Sequence, residues 1–583
     1  MNPTANNIPE DGKLYEPDRK EDGTFAFNEN GEPYDYNGDG LVENLIADPQ
    51  NDTNGWFHGL GDRGDDSSRY GYRYKDLGSL ADFSQENQDV AAYLEQATLF
   101  WADMGVNGIR HDATLHMDAA FAKGLKDAVD SHNTITQFGE FFIGRPDPKY
   151  DEYVYFPKQT GINNLDFEFY RAASTTFGDF STTMADFGNM LQYTQDDYDY
   201  ENQAVTFLDN HDVTRFGYTQ RSQKTYNAAL ATLLTSRGVP NIYYGTEQYV
   251  VPADGSDVSG RIFMQTDSSF DTDTTAYKLI GKLSELRQQN DAIAYGTTTI
   301  RYSNDDVLIY ERKFYDDVIL VAINRQPDKA YTIDNVETLL PEGEYVDFLG
   351  GMLNGENISV YASTGINTTA SITLDGGEVG VWQYDAAANA PEIGNVVSTM
   401  GRAGNRVYIY GDGLDGNISV KFGETEATVE SNTANEIVTY VPDNAVAGYN
   451  DITVTKGRCC QLIRLPIMSC LGDQNQVIFH VKAETNYGEN IYIVHCLQPF
   501  KIKIGDNIII GNSRIVHIAV NPYLVSAIIF EYILPDIFTI RKVNALKKKF
   551  TPVFGLQCLK FIGTATGNTI NRIALFEQHP TYF

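Results

Sequence analysis

DVAAYLEQATLFWADMGVNGIRHDA, residues 89–113, decides the fold. Up to Gly105 it places Val90, Tyr93, Leu94, Ala97, Phe100 and Trp101 at helical spacing. VNGIRHDA (106–113) then reads as a short buried strand ending in charged residues. Working outward, the same alternation recurs. A helix is predicted over 118–130, a strand over TITQFGEFF (134–142), a strand near NNLDFEF (163–169) and helical stretches to about residue 192. A strand AVTFLDNHD (204–212), a helix (224–238), a strand VPNIYYGTE (239–247) and a helix (274–290) follow. Strands alternating with helices predict an α/β fold, parallel strands with helices outside. About five such strands are visible, whereas a closed barrel of this kind has eight. Residues 1–80 are rich in Gly, Asp, Asn and Pro and read as loop, so they supply no further strands.

From 296 to 385 the pattern turns all-β, ending at GVWQYD, and AAANAPEIG (386–394) reads as a linker. Residues 391–456 read as a small β-sandwich of the immunoglobulin-like kind. The organisation predicted is therefore loop-rich 1–80, a partial barrel 81–295, a β-domain 296–385, a sandwich 391–456 and a tail 457–583. The tail has a different composition. It carries 13 basic and 7 acidic residues, while the first 456 residues carry 31 basic and 72 acidic ones. All five cysteines lie in it and none of the three tryptophans does. The cysteine spacing fits neither a disulfide framework nor a zinc site.

The whole chain of 583 residues has a formal charge of −35. That excess argues against binding nucleic-acid backbones and suits a neutral partner and a salt-adapted surface. No apolar run of about 18 residues exists, which predicts no membrane span. The first residues show no signal-peptide pattern.

Three acidic residues close three of the predicted strands: Asp112 in GIRHDATLHM (108–117), Glu140 in QFGEFF (137–142) and Asp212 in FLDNHD (207–212). In a β/α barrel the strand C-termini face the active site. Two carboxylates there can act as nucleophile and general acid. Arg110, two residues before Asp112, leaves the same strand face and would keep Asp112 ionised.

These segments resemble regions II, III and IV of the α-amylase superfamily, glycoside hydrolase family 13. The resemblance implies Asp112 as nucleophile, Glu140 as general acid/base and Asp212 as the carboxylate that stabilises the transition state. Arg110, His116 and His211 match residues that position the sugar, and Phe142 matches an acceptor-side aromatic. Domain order and LTSRGVPNIYYGTEQY (234–249) are most similar to cyclodextrin glucanotransferases and their maltogenic relatives. The implied partner is starch or maltodextrin, acted on by a monomeric, extracellular enzyme. The implied cofactor is a structural calcium on Asp82 and the backbone of His116.

The sequence also departs from that pattern. The family's first three barrel strands have no counterpart here. Gly78 stands where glucanotransferases carry a Tyr or Phe, and Leu115 stands where they carry a Lys. Both favour hydrolysis of α-1,4-glucosidic bonds over cyclising transfer. The donor-site motif Asp-Pro-x-Asn-Arg is not recognisable in PADGSDVSGR (252–261). A third reading is a non-catalytic remnant of a disrupted gene. Independently, DYNGDGLVE (35–43) spaces Asp35, Asn37 and Asp39 like part of an EF-hand loop, which makes them candidate calcium ligands, but its twelfth position is Ile46. The tail resembles a starch-binding module only over 471–494. Its lack of Trp predicts a degenerate, frame-disrupted segment that does not bind starch.

Overall fold

The computed structural model describes residues 13–457 except 79, 220, 221, 268, 364–366 and 389; beyond 457 it describes only the backbone of strands, 459–470 and eight shorter ones to 576. The chain divides into two compact units, 1–472 and 473–583. The starch-binding-like segment 471–494 lies outside the described residues except for two short strands.

Five short parallel strands form the centre of the first unit. They are β1 (Gly108–His111), β2 (Thr136–Gly139), β3 (Asn163–Asn164), β4 (Val205–Phe207) and β5 (Val239–Asn241). β1 pairs with β2, β2 with β3, and β4 with β5. A parallel bridge from Leu165 to Val205 joins the two groups into one array. β1 and β5 are its edges among the described residues.

The strands are shorter than the sequence predicts. The apolar run after β3 turns into a helix, Phe167–Ala173, because the Asp166 side chain accepts the Phe169 amide at 3.0 Å and caps it. After β4 the chain leaves the sheet before Asp209, whose carboxylate accepts the Phe216 amide at 2.9 Å.

The helices flanking the array include α1 (Gln88–Asp103), α2 (Ala119–His132), α3 (Gln223–Thr235) and α4 (Thr275–Gln289). α3 is buried along nearly its whole length. It shares one core with Leu279, Leu283 and Leu286 of α4 and with Leu308, Tyr310, Ile319, Val321, Val379 and Val381 of the following β-domain. Strands Val307–Phe314 and Asp317–Asn324 are therefore buried on both faces. They belong to one four-stranded sheet that packs on a second one. α1 differs from the face predicted for it: Val90 is buried, but Ala97, Phe100 and Trp101 are exposed.

The sandwich consists of a four-stranded and a five-stranded sheet. Cys459–Cys470 belongs to the latter, pairing with Gly448–Lys456, so the sandwich continues past residue 456. Buried Lys126 of α2 anchors it, reaching Asp130, Ser398 and the Met400 carbonyl.

Candidate active site

The loops that follow β1, β2 and β4 carry Asp112, Glu140 and Asp212 to one end of the array. Backbone bonds fix the first two: Glu140 N donates to the His111 carbonyl at 2.9 Å and Thr114 N to the Glu140 carbonyl at 3.0 Å. Gly139 allows this approach, because a Cβ there would lie 2.6 Å from the Thr114 side chain.

One guanidinium serves all three carboxylates. Arg110 Nη1 donates to Asp112 Oδ1 at 2.9 Å. Its Nη2 lies 3.2 Å from Glu140 Oε2 and 3.7 Å from Asp212 Oδ2, ion-pair contacts without hydrogen-bond geometry. The environment splits the two neighbouring carboxyls. Burial works against the charge on Asp112, yet the Arg110 cation and a hydrogen bond shared with Glu140 hold its pKa below the usual value. Burial pushes Glu140 up to about 7; Arg110 opposes the rise, and Asp112 and Asp212 add to it. Below about pH 7 the pair therefore favours one ionised and one protonated carboxyl, the arrangement that acid–nucleophile chemistry requires.

Asp212 is held on two further sides. His211 Nε2 lies 2.8 Å from its Oδ2, and Arg261 Nη2 donates to its Oδ1 at 3.1 Å. Arg261 also donates through Nε to the His211 carbonyl at 2.8 Å and through Nη2 to Asp257 at 2.9 Å. Sequence reading missed Asp257 and Arg261. The signal was their i,i+4 spacing in DVSGR (257–261), which keeps the two charged ends of the donor-site motif while losing its Pro and Asn.

Phe142 is half exposed beside the site, its ring edge-on to Phe167 at 4.4 Å. The His116 ring is buried, lies against Tyr72 at 5.2 Å and stays below its ordinary pKa because of burial. Asp112 is near enough for its charge to oppose that fall. Leu115 packs with Met117, Ala122 and Phe141, so its side chain turns into the core. Gly78 has φ +63° with open space around it, a backbone conformation that disfavours an aromatic residue there.

The metal candidates are placed differently. Asp35 accepts the amides of Gly38 and Gly40 at 2.6 and 2.9 Å, and Asp39 accepts that of Leu41 at 2.8 Å. Asn37 Oδ1 accepts the Asp39 amide at 2.9 Å. These carboxylates are engaged by the loop's own amides. Asp82 is buried; its Oδ2 pairs with His58 Nδ1 at 2.7 Å, and its Oδ1 has no hydrogen-bond partner. The His116 carbonyl accepts from Gln85 Nε2 at 3.4 Å. The free Oδ1 fits a cation, though no group of three or more His, Cys, Asp or Glu able to hold a metal occurs among the described residues.

Comparison with known proteins finds one family over the segment that holds these residues. The family described as alpha amylase, catalytic domain, matches residues 46–261; the alpha amylase C-terminal all-beta domain matches 301–385, and the IPT/TIG domain matches 391–463. A cyclomaltodextrin glucanotransferase of Thermoanaerobacterium thermosulfurigenes is 43% identical over 82% of this chain and 65% of its own length. Another, of Geobacillus stearothermophilus, is 41% identical over 80% of this chain and 64% of its own. The chain thus spans slightly less than two thirds of these relatives. The crystal structure of a gamma-CGTase from an alkalophilic Bacillus clarkii superposes with a TM-score of 0.70 at 32% identity, covering 86% of this chain and 76% of that one.

Proposed function

Because this chain belongs to the α-amylase superfamily, glycoside hydrolase family 13, we propose that it cleaves α-1,4-glucosidic bonds of starch and maltodextrins with retention. The observation that carries the reading is the single Arg110 guanidinium set among three carboxylates, where it favours the ionised form of Asp112 while burial raises Glu140 against it. Glu140, protonated, gives its proton to the leaving glycosidic oxygen. Asp112, ionised, attacks the anomeric carbon and forms a glycosyl ester. Asp212, fixed by His211 and Arg261, stabilises positive charge that develops on the sugar. Glu140, now a carboxylate, takes a proton from the incoming acceptor, and the ester is released.

Water as acceptor gives hydrolysis. Gly78, with no ring for a glucan to wrap around, and Leu115, turned into the core, support that outcome. The second reading is cyclising transfer to a sugar hydroxyl, favoured by half-exposed Phe142 and by the relatives' names. A calcium held by Asp82 Oδ1 and the His116 carbonyl would tie the loop region to the barrel and take no part in the reaction. Action on an extracellular polymer fits the resemblance; no described helix is long and apolar enough to cross a membrane.

Digestion of soluble starch tests both readings. Linear maltodextrins whose new reducing ends appear first as the α-anomer are expected. Dominant cyclodextrins would replace hydrolysis by transfer, and β-anomers or no products would sink the proposal.

A further inference from the structure

One acid/base serves both the departing sugar and the incoming acceptor, so the acceptor arrives on the Glu140 side. Phe142 leaves the chain two residues after Glu140 and is 47% exposed. The turn that carries it, 142–145, is held from behind by the helix Phe167–Ala173. Glu168 of that helix is 5% exposed. One of its carboxylate oxygens accepts the Arg145 amide, and the other accepts the Tyr193 hydroxyl. Gly144 passes so close that a Cβ there would strike the Glu168 carboxylate and the Arg171 guanidinium. Arg171 also stands over the Phe142 ring, 5.8 Å from its centroid, while Phe167 meets that ring edge-on at 4.4 Å. The Arg145 side chain lies over the rings of Tyr193 and Tyr150 at 4.0 and 4.9 Å and ends on Asp197. The turn is thus fixed at its aromatic ring, at its backbone and at its arginine.

We propose that Glu168, assisted by Arg171, is a positioning residue for acceptor selection: it holds Phe142 as a fixed apolar wall beside the acid/base, against which a sugar acceptor lies. Glu168 takes no part in the bond-making steps. A buried carboxylate needs hydrogen bonds to be tolerated, and here it spends them on the turn. A ring fixed in advance spares the cost of ordering it when a sugar binds. Water needs no such wall. Loosening the turn therefore weakens the sugar acceptor and leaves water nearly unaffected. The inference rests on the glycosidase reading of this site.

The full chain and its Glu168→Leu, Glu168→Gln and Arg171→Met variants are compared on soluble starch with maltose added as acceptor. Transfer products and new reducing ends are counted separately. In Glu168→Leu the half-saturating maltose concentration should rise about 3- to 10-fold, with transfer falling against hydrolysis by a similar factor and hydrolysis itself falling far less. Glu168→Gln keeps an oxygen for the Arg145 amide and should restore most of the wild-type ratio. Arg171→Met leaves the buried carboxylate in place and should shift the ratio in the same direction but by less, which decides the matter if Glu168→Leu does not fold. An unchanged ratio in the variants that fold, equal losses of transfer and hydrolysis, or hydrolysis without transfer at any maltose concentration would each overturn the acceptor role and leave the glycosidase reading standing. A wild-type chain that neither hydrolyses starch nor forms transfer products would overturn that reading, and the acceptor role with it.

Discussion

Two arginine–aspartate pairs sit in opposite regions of the same barrel segment. Arg237 and Asp166, 2.7 Å apart and fully buried, lie on the sealed side, where the array packs towards the β-domain. The Thr194 hydroxyl takes two more of the guanidinium's donors, at 3.0 and 2.7 Å. Arg110 and Asp112, 2.9 Å apart, lie on the open side, with 27% and 46% of their side chains exposed. The sealed pair, with Glu201 as a further acidic neighbour of the guanidinium, fixes the positions of the elements around it. The open pair faces two further carboxylates, so its charge sets protonation states. The same contact is structural in one place and chemical in the other, and solvent access with neighbouring charge decides which.

The largest expected effect falls on the sealed side. Asp166→Ala leaves the Arg237 cation buried and unpaired and removes a helix cap. A loss of about 3–5 kcal/mol is expected by urea unfolding. A change under about 1 kcal/mol would show that the pair is not what holds this region. On the open side, Arg110→Met should cost little stability but lower turnover on starch by on the order of 10²–10³. Its acid limb should move to higher pH as Asp112 loses its cation. An unmoved pH profile with the rate retained would separate Arg110 from the ionisation of Asp112.

Next in size is a dependence on pH and salt. Burial raises Glu140, Asp291 and Glu392 to about 7 and Asp317 to about 6. Groups bound more tightly to protons when folded stabilise the protein below their unfolded pKa. That stability is lost as pH rises through the folded value. The melting temperature should therefore fall by at least about 2–4 °C between pH 5 and pH 8 in dilute buffer. Molar salt should recover part of it by screening the acidic surface. A melting temperature that rises with pH, or falls with salt, would contradict this. The smallest effect belongs to Arg261→Gln. Its pair with Asp212 is nearly half exposed and worth under about 1 kcal/mol, so kcat/KM should drop less than about fivefold. A larger loss would make Arg261 a principal support of Asp212.

The sequence made Asp112, Glu140, Asp212 and Arg110 legible because each ends an apolar run or lies two residues from one that does. Buried strands and the loops leaving them share apolar composition, so strand lengths were overestimated at 163–169 and 204–212. Periodicity assigned Phe100 and Trp101 to the inner face of α1 because both faces of that helix are apolar. Pattern alone does not say which one the rest of the chain covers. Asp257 and Arg261 escaped notice because charged residues four apart are common on exposed helices. At 35–43 the acidic spacing that suggests a cation also suits carboxylates bonded to the loop's own amides.

The central claim is that Asp112 is the nucleophile and Glu140 the acid/base. It is tested most directly by trapping. The Glu140→Gln chain is incubated with an α-maltosyl fluoride, whose activated leaving group needs no acid. Peptide mapping by mass spectrometry should find a maltosyl ester on Asp112, absent in the Asp112→Asn double variant. An adduct on Asp212 or another residue, or no adduct, would contradict the account.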